Sequence, residues 1–256
     1  MPGRNSLVAL SGVLALAGLL LAPSPVRADK PSPGLKVASG ARIAVINLLD
    51  AEVTYFHAAH RLQDSFLKTY PVSWSAGAML QEALQERLTQ LGLTPVPLPP
   101  GDALSHAREI CFLEPNLAKG LPKDCAAIYA QFAAREEVAA LIVLGPGLND
   151  GDHAGSSRRK DLPDYLRGWC VVTAEGGAPP TLLNLTELLL IGPGAKGAVL
   201  VEREWGGALN GPASGFTPPA DVKSLSEAQL APLQGQFAAL LRQQAAALSA
   251  YLLVQH

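Results

Sequence analysis

Charge is scarce in this chain: Asp, Glu, Lys and Arg make up only 16% of its 256 residues. No basic run is longer than Arg158-Arg159-Lys160. With so few cations and no basic face, the chain has little to set against a phosphate backbone, which argues against nucleic acid. A second long apolar stretch is also missing. After Leu7–Leu21 (LVALSGVLALAGLLL), nothing approaches the ~20 residues a spanning helix needs. No Gly-x-Ser-x-Gly elbow occurs. The Gly-Pro-Gly turns at 145–147 and 192–194 match neither a P-loop nor a dinucleotide fingerprint, because proline removes donors that a phosphate cradle needs.

The one long apolar run has a defined place. Arg4 precedes it, Pro23 and Pro25 close it, and Val26-Arg27-Ala28 puts small residues where a signal peptidase reads. Residues 1–28 therefore read as a secretory signal peptide rather than an anchor, with cleavage after Ala28. No Cys lies near that point, which argues against a lipidated N-terminus. The mature chain carries 18 basic and 22 acidic residues, a net charge of −4. Residues 29–40 (DKPSPGLKVASG) read as a flexible lead-in, and 41–256 as one domain.

Three cysteines in an exported chain imply one disulfide and one leftover thiol. Cys111 and Cys125 bracket a Pro/Gly-containing loop whose ends could meet, so they are the expected pair. Cys170, between Trp169 and Val171, reads as a buried small hydrophobe, though it could displace either partner.

Glu136–His153 (EEVAALIVLGPGLNDGDH) is the most informative stretch. The apolar run 139–144, stopped by Gly145-Pro146-Gly147, predicts a strand buried on both faces. Arg42–Leu48 predicts another. Between them, Leu80, Leu84, Leu88 and Leu91 form one stripe of a helix over Ser75–Leu91, capped by Ser73 or Ser75 and stopped by Gly92. Leu93–Leu98 (LTPVPL), with two prolines, can only be an edge strand. Asp124–Glu136 predicts a second helix. This is a βαβ-type half with right-handed crossovers. Val53–His57 and Ser65–Val72 read as extended.

The second half changes character. Gly168–Ala174, Thr181–Ile191 and Ala198–Trp205 are extended runs between Gly/Pro turns, an antiparallel meander. Ser226–Gln229 fits a capping box with Leu225 and Leu230 as staple, but Pro232 lies too deep for that start to run on. A long helix is expected over about Ala231–Val254, with Leu233, Phe237, Leu240, Leu241, Leu248, Tyr251 and Leu252 as its core stripe. Its outer face, Gln229, Gln234, Gln236, Gln243 and Gln244, carries almost no charge, and the helix could instead pack against a partner rather than its own sheet. The fold class is α/β: a mixed sheet with a βαβ-type N-terminal half, an antiparallel C-terminal meander and a long C-terminal helix.

Two constellations could carry chemistry. Asp50 follows the first strand, and Asn149, Asp150, Asp152 and His153 follow the 139–144 strand. If those strands are parallel neighbours, these groups share one sheet edge, where α/β folds bind ligands. They could hold a divalent cation or orient a small ligand, although Asp, Asn and Gly are also ordinary turn residues. The second is His57, His60 and Asp64, a His/His/carboxylate face if helical. On a strand it collapses, because neighbouring side chains alternate. No other cofactor is implied.

The order of Arg42–Asn47 as first strand, Leu80–Gly92 as helix, Ala139–Gly145 as next strand and a hairpin over Leu183–Ile191 and Val199–Trp205 resembles a small periplasmic α/β domain. That domain occurs in curli-secretion lipoproteins, penicillin-binding-protein activators and the N-terminal domain of the Tol β-propeller protein. The resemblance implies a non-enzymatic, envelope-associated accessory or binding protein that works through a protein partner. The chain departs from the lipoprotein members in lacking a lipidation Cys. The runner-up is a metal- or small-ligand-binding protein, even a hydrolase, using the 149–153 loop.

Overall fold

The apolar run in the Glu136–His153 stretch forms a strand in which every residue from Ala140 to Pro146 is buried. The computed structural model describes residues 34–99, 101, 104, 123–147, 162–163, 166–193, 199–205 and 211–255. Residues 1–28, expected to be a signal peptide, lie outside them. The strands are β1 (Leu35–Ala38), β2 (Arg42–Asn47), β3 (Glu52–Ala58), β4 (Phe66–Pro71), β5 (Thr94–Leu98), β6 (Ala140–Pro146), β7 (Gly168–Ala174), β8 (Thr181–Pro193), β9 (Val199–Trp205), β10 (Gly211–Pro212) and β11 (Leu252–Gln255). The helices are α1 (Ala76–Gln90), α2 (Lys123–Arg135), α3 (Glu227–Leu230) and α4 (Gln234–Ser249).

The sheet is built in two tiers along one strand. β8 is 13 residues long, and its two halves serve different neighbours. Thr186–Ile191 pairs with β6, which continues through parallel β2 to parallel β5. Thr181–Leu185 pairs with β7, which continues through parallel β3 to antiparallel β4. Following the pairings, β2 and β3 run the same way, so β3 takes up the path of β2 after only four residues. β9 lies antiparallel on the Glu187–Pro193 half of β8, which completes the expected meander. The β5-β2-β6 order, with β2 first in sequence, makes the boundary between β2 and β6 a topological switch point.

Helices cover opposite faces, as right-handed crossovers on either side of β2 require. Leu80, Leu84 and Leu88 of α1 share one core with Phe237, Leu241 and Leu248 of α4, and with Leu182, Leu188 and Leu190 of β8. On the other face, Tyr129 and Phe132 of α2 pack on Ala44, Ile46, Leu141, Val143, Leu189 and Ile191. The upper tier has its own small core on that face, where Leu162 and Leu166 cover Phe56, Cys170 and Val172.

Three expectations need correction. The lead-in over 29–40 contains strand β1, whose alternating Leu35 and Val37 are buried and which pairs in parallel with β11. The C-terminal helix stops at Ser249, and Leu252–Gln255 is that partner strand. The helix's core stripe lies against its own sheet as expected, with Phe237, Leu241, Ala245 and Leu248 each 0% exposed. Gln244, expected on the outer face, is 0% exposed as well.

Local rules held at the helix ends. Ser75 caps α1 by accepting from the Ala78 N–H at 3.2 Å. Both α1 and α2 end in the Schellman pattern. Leu93 N–H bonds Leu88 C=O and Gly92 N–H bonds Thr89 C=O after α1, just as Val138 N–H bonds Ala133 C=O and Glu137 N–H bonds Ala134 C=O after α2. The left-handed position is glycine in the first (Gly92, φ 72°) but Glu137 in the second (φ 52°). A Cβ is penalised there. Glu137→Gly is therefore expected to stabilise by up to about 1 kcal/mol, raising Tm by about 2–4 °C. A lowered Tm in calorimetry would contradict this account.

Candidate functional site

The carboxyl ends of β2 and β6 are where an open α/β sheet would leave a crevice. They are parallel neighbours here, as the strand-end site required. Asp50 sits at this edge and is exposed, whereas Asn149, Asp150, Asp152 and His153 lie outside the described residues. Among the described residues, the chain runs on across the switch point. Asn47 turns the chain by accepting from Leu49 N–H (3.1 Å) and donating to Leu49 C=O (2.9 Å), and two residues after Asp50 the chain is already in β3. Gly168 begins β7 on the same path beyond β6. The gap left between tiers, lined by Leu49, Asp50, Glu52, Thr54, Pro146, Arg167, Gly168 and Trp169, measures only about 10 Å³. That is room for one water.

The gap opens sideways into a larger groove of about 340 Å³ on the outer face of β3 and β4. Glu52, Thr54 and Arg167 line both spaces, and Leu67, Thr69 and Leu166 complete the groove. Its floor is fixed by the β3–β4 ladder, with Thr54 Oγ1 and Thr69 Oγ1 3.2 Å apart across it. A second cavity, about 310 Å³, lies between α1 and the ends of β2 and β5, where Asn47, Gly77 and Gln81 meet Val45, Leu80, Pro97, Leu98 and Pro99. Glu52 and Arg167 carry no sequence motif. Only their places, first in β3 and just before β7, could have suggested them.

The histidine face does not form. His57 lies in β3, and Asp64 belongs to a separate single turn over Leu62–Asp64, so the i, i+3, i+7 spacing has no helix to act on. Each histidine has its own partner. His57 Nδ1 is 2.8 Å from Thr173 Oγ1, which is also 2.9 Å from the hydroxyl of fully buried Tyr55. Thr173 Oγ1 thus joins both side chains, with a hydroxyl that can donate one bond and accept two. Burial also holds the Tyr55 phenol above its ordinary range, against the lowering effect of the Thr173 bond. His60 pairs at 3.2 Å with Glu175 in an exposed contact worth little energetically. Among the described residues no three His, Cys, Asp or Glu side chains gather as metal ligands.

Of the cysteines, Cys170 is free and fully buried. Burial pushes its thiol up to about 12, although hydrogen bonding with the Arg167 backbone and with Thr54 pulls the other way. A thiol is nucleophilic only as thiolate, so Cys170 is no catalytic candidate. Its folded value lies above the unfolded value of about 8.5. Its contribution to stability is therefore intact below pH ~8.5 and is lost as pH rises toward 12. Native protein at pH 8 should leave Cys170 unalkylated by iodoacetamide over hours, and denaturant should make it react fully. Rapid alkylation of the native chain would show that the Leu162–Leu166 cover opens.

No family model matches the chain, and no curated protein matches it either. Among solved structures, the competence or damage-inducible protein from Enterobacter asburiae aligns over 82% of this chain and 89% of its own, at 11% identity and a TM-score of 0.26. A likeness that weak says nothing about fold or activity.

Proposed function

We propose that this chain is an exported accessory or binding protein of the cell envelope, with no catalytic step of its own. The observation that carries the reading is the switch point, where, among the described residues, β3 and β7 run on across the ends of β2 and β6 and leave a gap of about 10 Å³ between the tiers. The ionisable groups nearest to chemistry are committed elsewhere: His57 to Thr173, and the Cys170 thiol to the core. The apolar run over 7–21 and the small residues before Asp29 support export, and the order of elements supports the resemblance to periplasmic accessory domains.

Expression in a bacterial host tests this directly. The mature protein should begin at Asp29 by mass spectrometry, fractionate with the periplasm and retain an envelope protein on affinity capture. Retention of residues 1–28, or turnover of a substrate with no captured partner, would overturn the reading. The same spectra test the Cys111–Cys125 pair. Cys125 is buried on α2 and is not a free thiol, while Cys111 lies outside the described residues. Denatured, unreduced protein should show one alkylatable thiol per chain.

The groove favours a second reading, small-ligand binding. It has the size of a ligand pocket and presents a carboxylate, a guanidinium and two hydroxyls.

A further inference from the structure

Glu52 and Arg167 line the same cleft with opposite charges, yet no ion pair among the described residues involves either side chain. Both are exposed, so each meets solvent or a ligand. The two charges restrict what can sit between them. A simple anion meets the Glu52 carboxylate, a divalent cation meets the Arg167 guanidinium, and a neutral apolar body leaves both charges partly desolvated without a partner. A dipolar molecule satisfies both. Among the described residues the remaining lining is neutral: Leu67 and Leu166 supply apolar walls, and Thr54 and Thr69 supply hydroxyls.

We propose that this cleft binds a free aliphatic α-amino acid. The ligand ammonium sits on Glu52, its carboxylate takes the planar fork of Arg167, and its side chain lies against Leu67 and Leu166. An arginine suits the carboxylate because its donors can meet both oxygens at once. The groove volume of about 340 Å³ is at the small end of ligand pockets. Its framework is set before binding. Thr54 and Thr69 are held by paired strands, and the Leu166 N–H is tied to the Pro163 carbonyl at 3.2 Å. Arg167 is anchored through its carbonyl, which accepts from Cys170 Sγ at 3.4 Å. Glu52 and Arg167 are then specificity-determining residues, and the proposal deepens the reading of the chain as a binding protein.

Calorimetric titration of the mature chain, residues 29–256, with L-leucine, N-acetyl-L-leucine and L-leucine methyl ester tests it. Leucine should bind, and each blocked derivative should lose about tenfold or more in affinity, because each leaves one charge unpaired. Glu52→Gln should weaken leucine and erase the difference from the N-acetyl compound, while Arg167→Gln should erase the difference from the ester. Both side chains are exposed, so both variants should keep the wild-type circular dichroism spectrum. Equal binding of all three compounds, or no heat with leucine at about 10 mM, would overturn the proposal. Failure of the accessory reading appears separately, as leucine turnover or as loss of the envelope partner with leucine binding intact.

Discussion

Ending the chain at Ser224 should abolish the folded state. The removed segment carries Leu225, Leu230, Leu233, Phe237, Leu241, Leu248 and Leu252, each at most 7% exposed and all in the core shared with α1 and β8. Burying a large apolar side chain stabilises by about 1.5–3 kcal/mol. Even at the lower bound, their sum is about 10 kcal/mol, within the 5–15 kcal/mol that separates folded from unfolded domains. The truncation also strips β1 of its partner β11 and leaves Trp74 and Trp169 without Phe237. Those three rings form one cluster, with Trp169 stacked on Trp74 at 5.5 Å and on Phe237 at 4.7 Å. Far-UV circular dichroism of the truncated chain should show loss of sheet and helix together, and size exclusion should show an expanded or aggregated species. A monomeric, folded truncation would mean that α4 is an appendage after all, free to dock on something else.

Much of this fold was legible because its strongest signals are local. The unbroken apolar run of β6, the leucine stripe of α1, Gly92 after it and the paired prolines of edge strand β5 each follow from a rule acting over a few residues. What was missed depends on pairing across the chain. β1 and β11 have four residues each, too few to show a period, and they lie 217 positions apart by register, Leu35 against Leu252. Leu248, Tyr251 and Leu252 also fit a helix stripe, so the sequence offered no reason to stop α4 at Ser249. The seam was invisible for the same reason. Nothing in Leu48–Ala51 shows that β3 will continue the path of β2, because the partner that enforces it is β8, more than a hundred residues later. The loop after β6 drew attention by its composition, whereas the groove-lining Glu52 and Arg167 are ordinary residues that the two tiers bring together.

Gln244 shows the same limit most sharply, and it yields the second large prediction. On a helix wheel it belongs with the exposed glutamines, yet β8 offers it Asn184 and Thr186, both 0% exposed. Gln244 Oε1 lies 3.3 Å from Asn184 Nδ2 and 3.0 Å from Thr186 Oγ1, and Gln244 Nε2 donates to the Thr186 carbonyl at 3.2 Å. Thr186 Oγ1 is also 2.8 Å from Asn184 Oδ1, so its single proton serves one acceptor at a time. These bonds fasten α4 to the middle of β8, where its two halves change neighbours. Gln244→Leu keeps most of the volume but removes one acceptor and one donor from a site closed to water. Each bond lost by a buried group costs about 1–3 kcal/mol, so the variant should lose about 2–4 kcal/mol in urea or thermal unfolding. Replacing all three together, with Asn184→Leu, Thr186→Val and Gln244→Leu, removes both sides of these contacts and should recover part of that loss. If Gln244→Leu unfolds like the wild type, the triad is not what positions α4. If the triple variant is worse than the sum of its single changes, these polar groups specify the helix–strand register that the leucines alone cannot set.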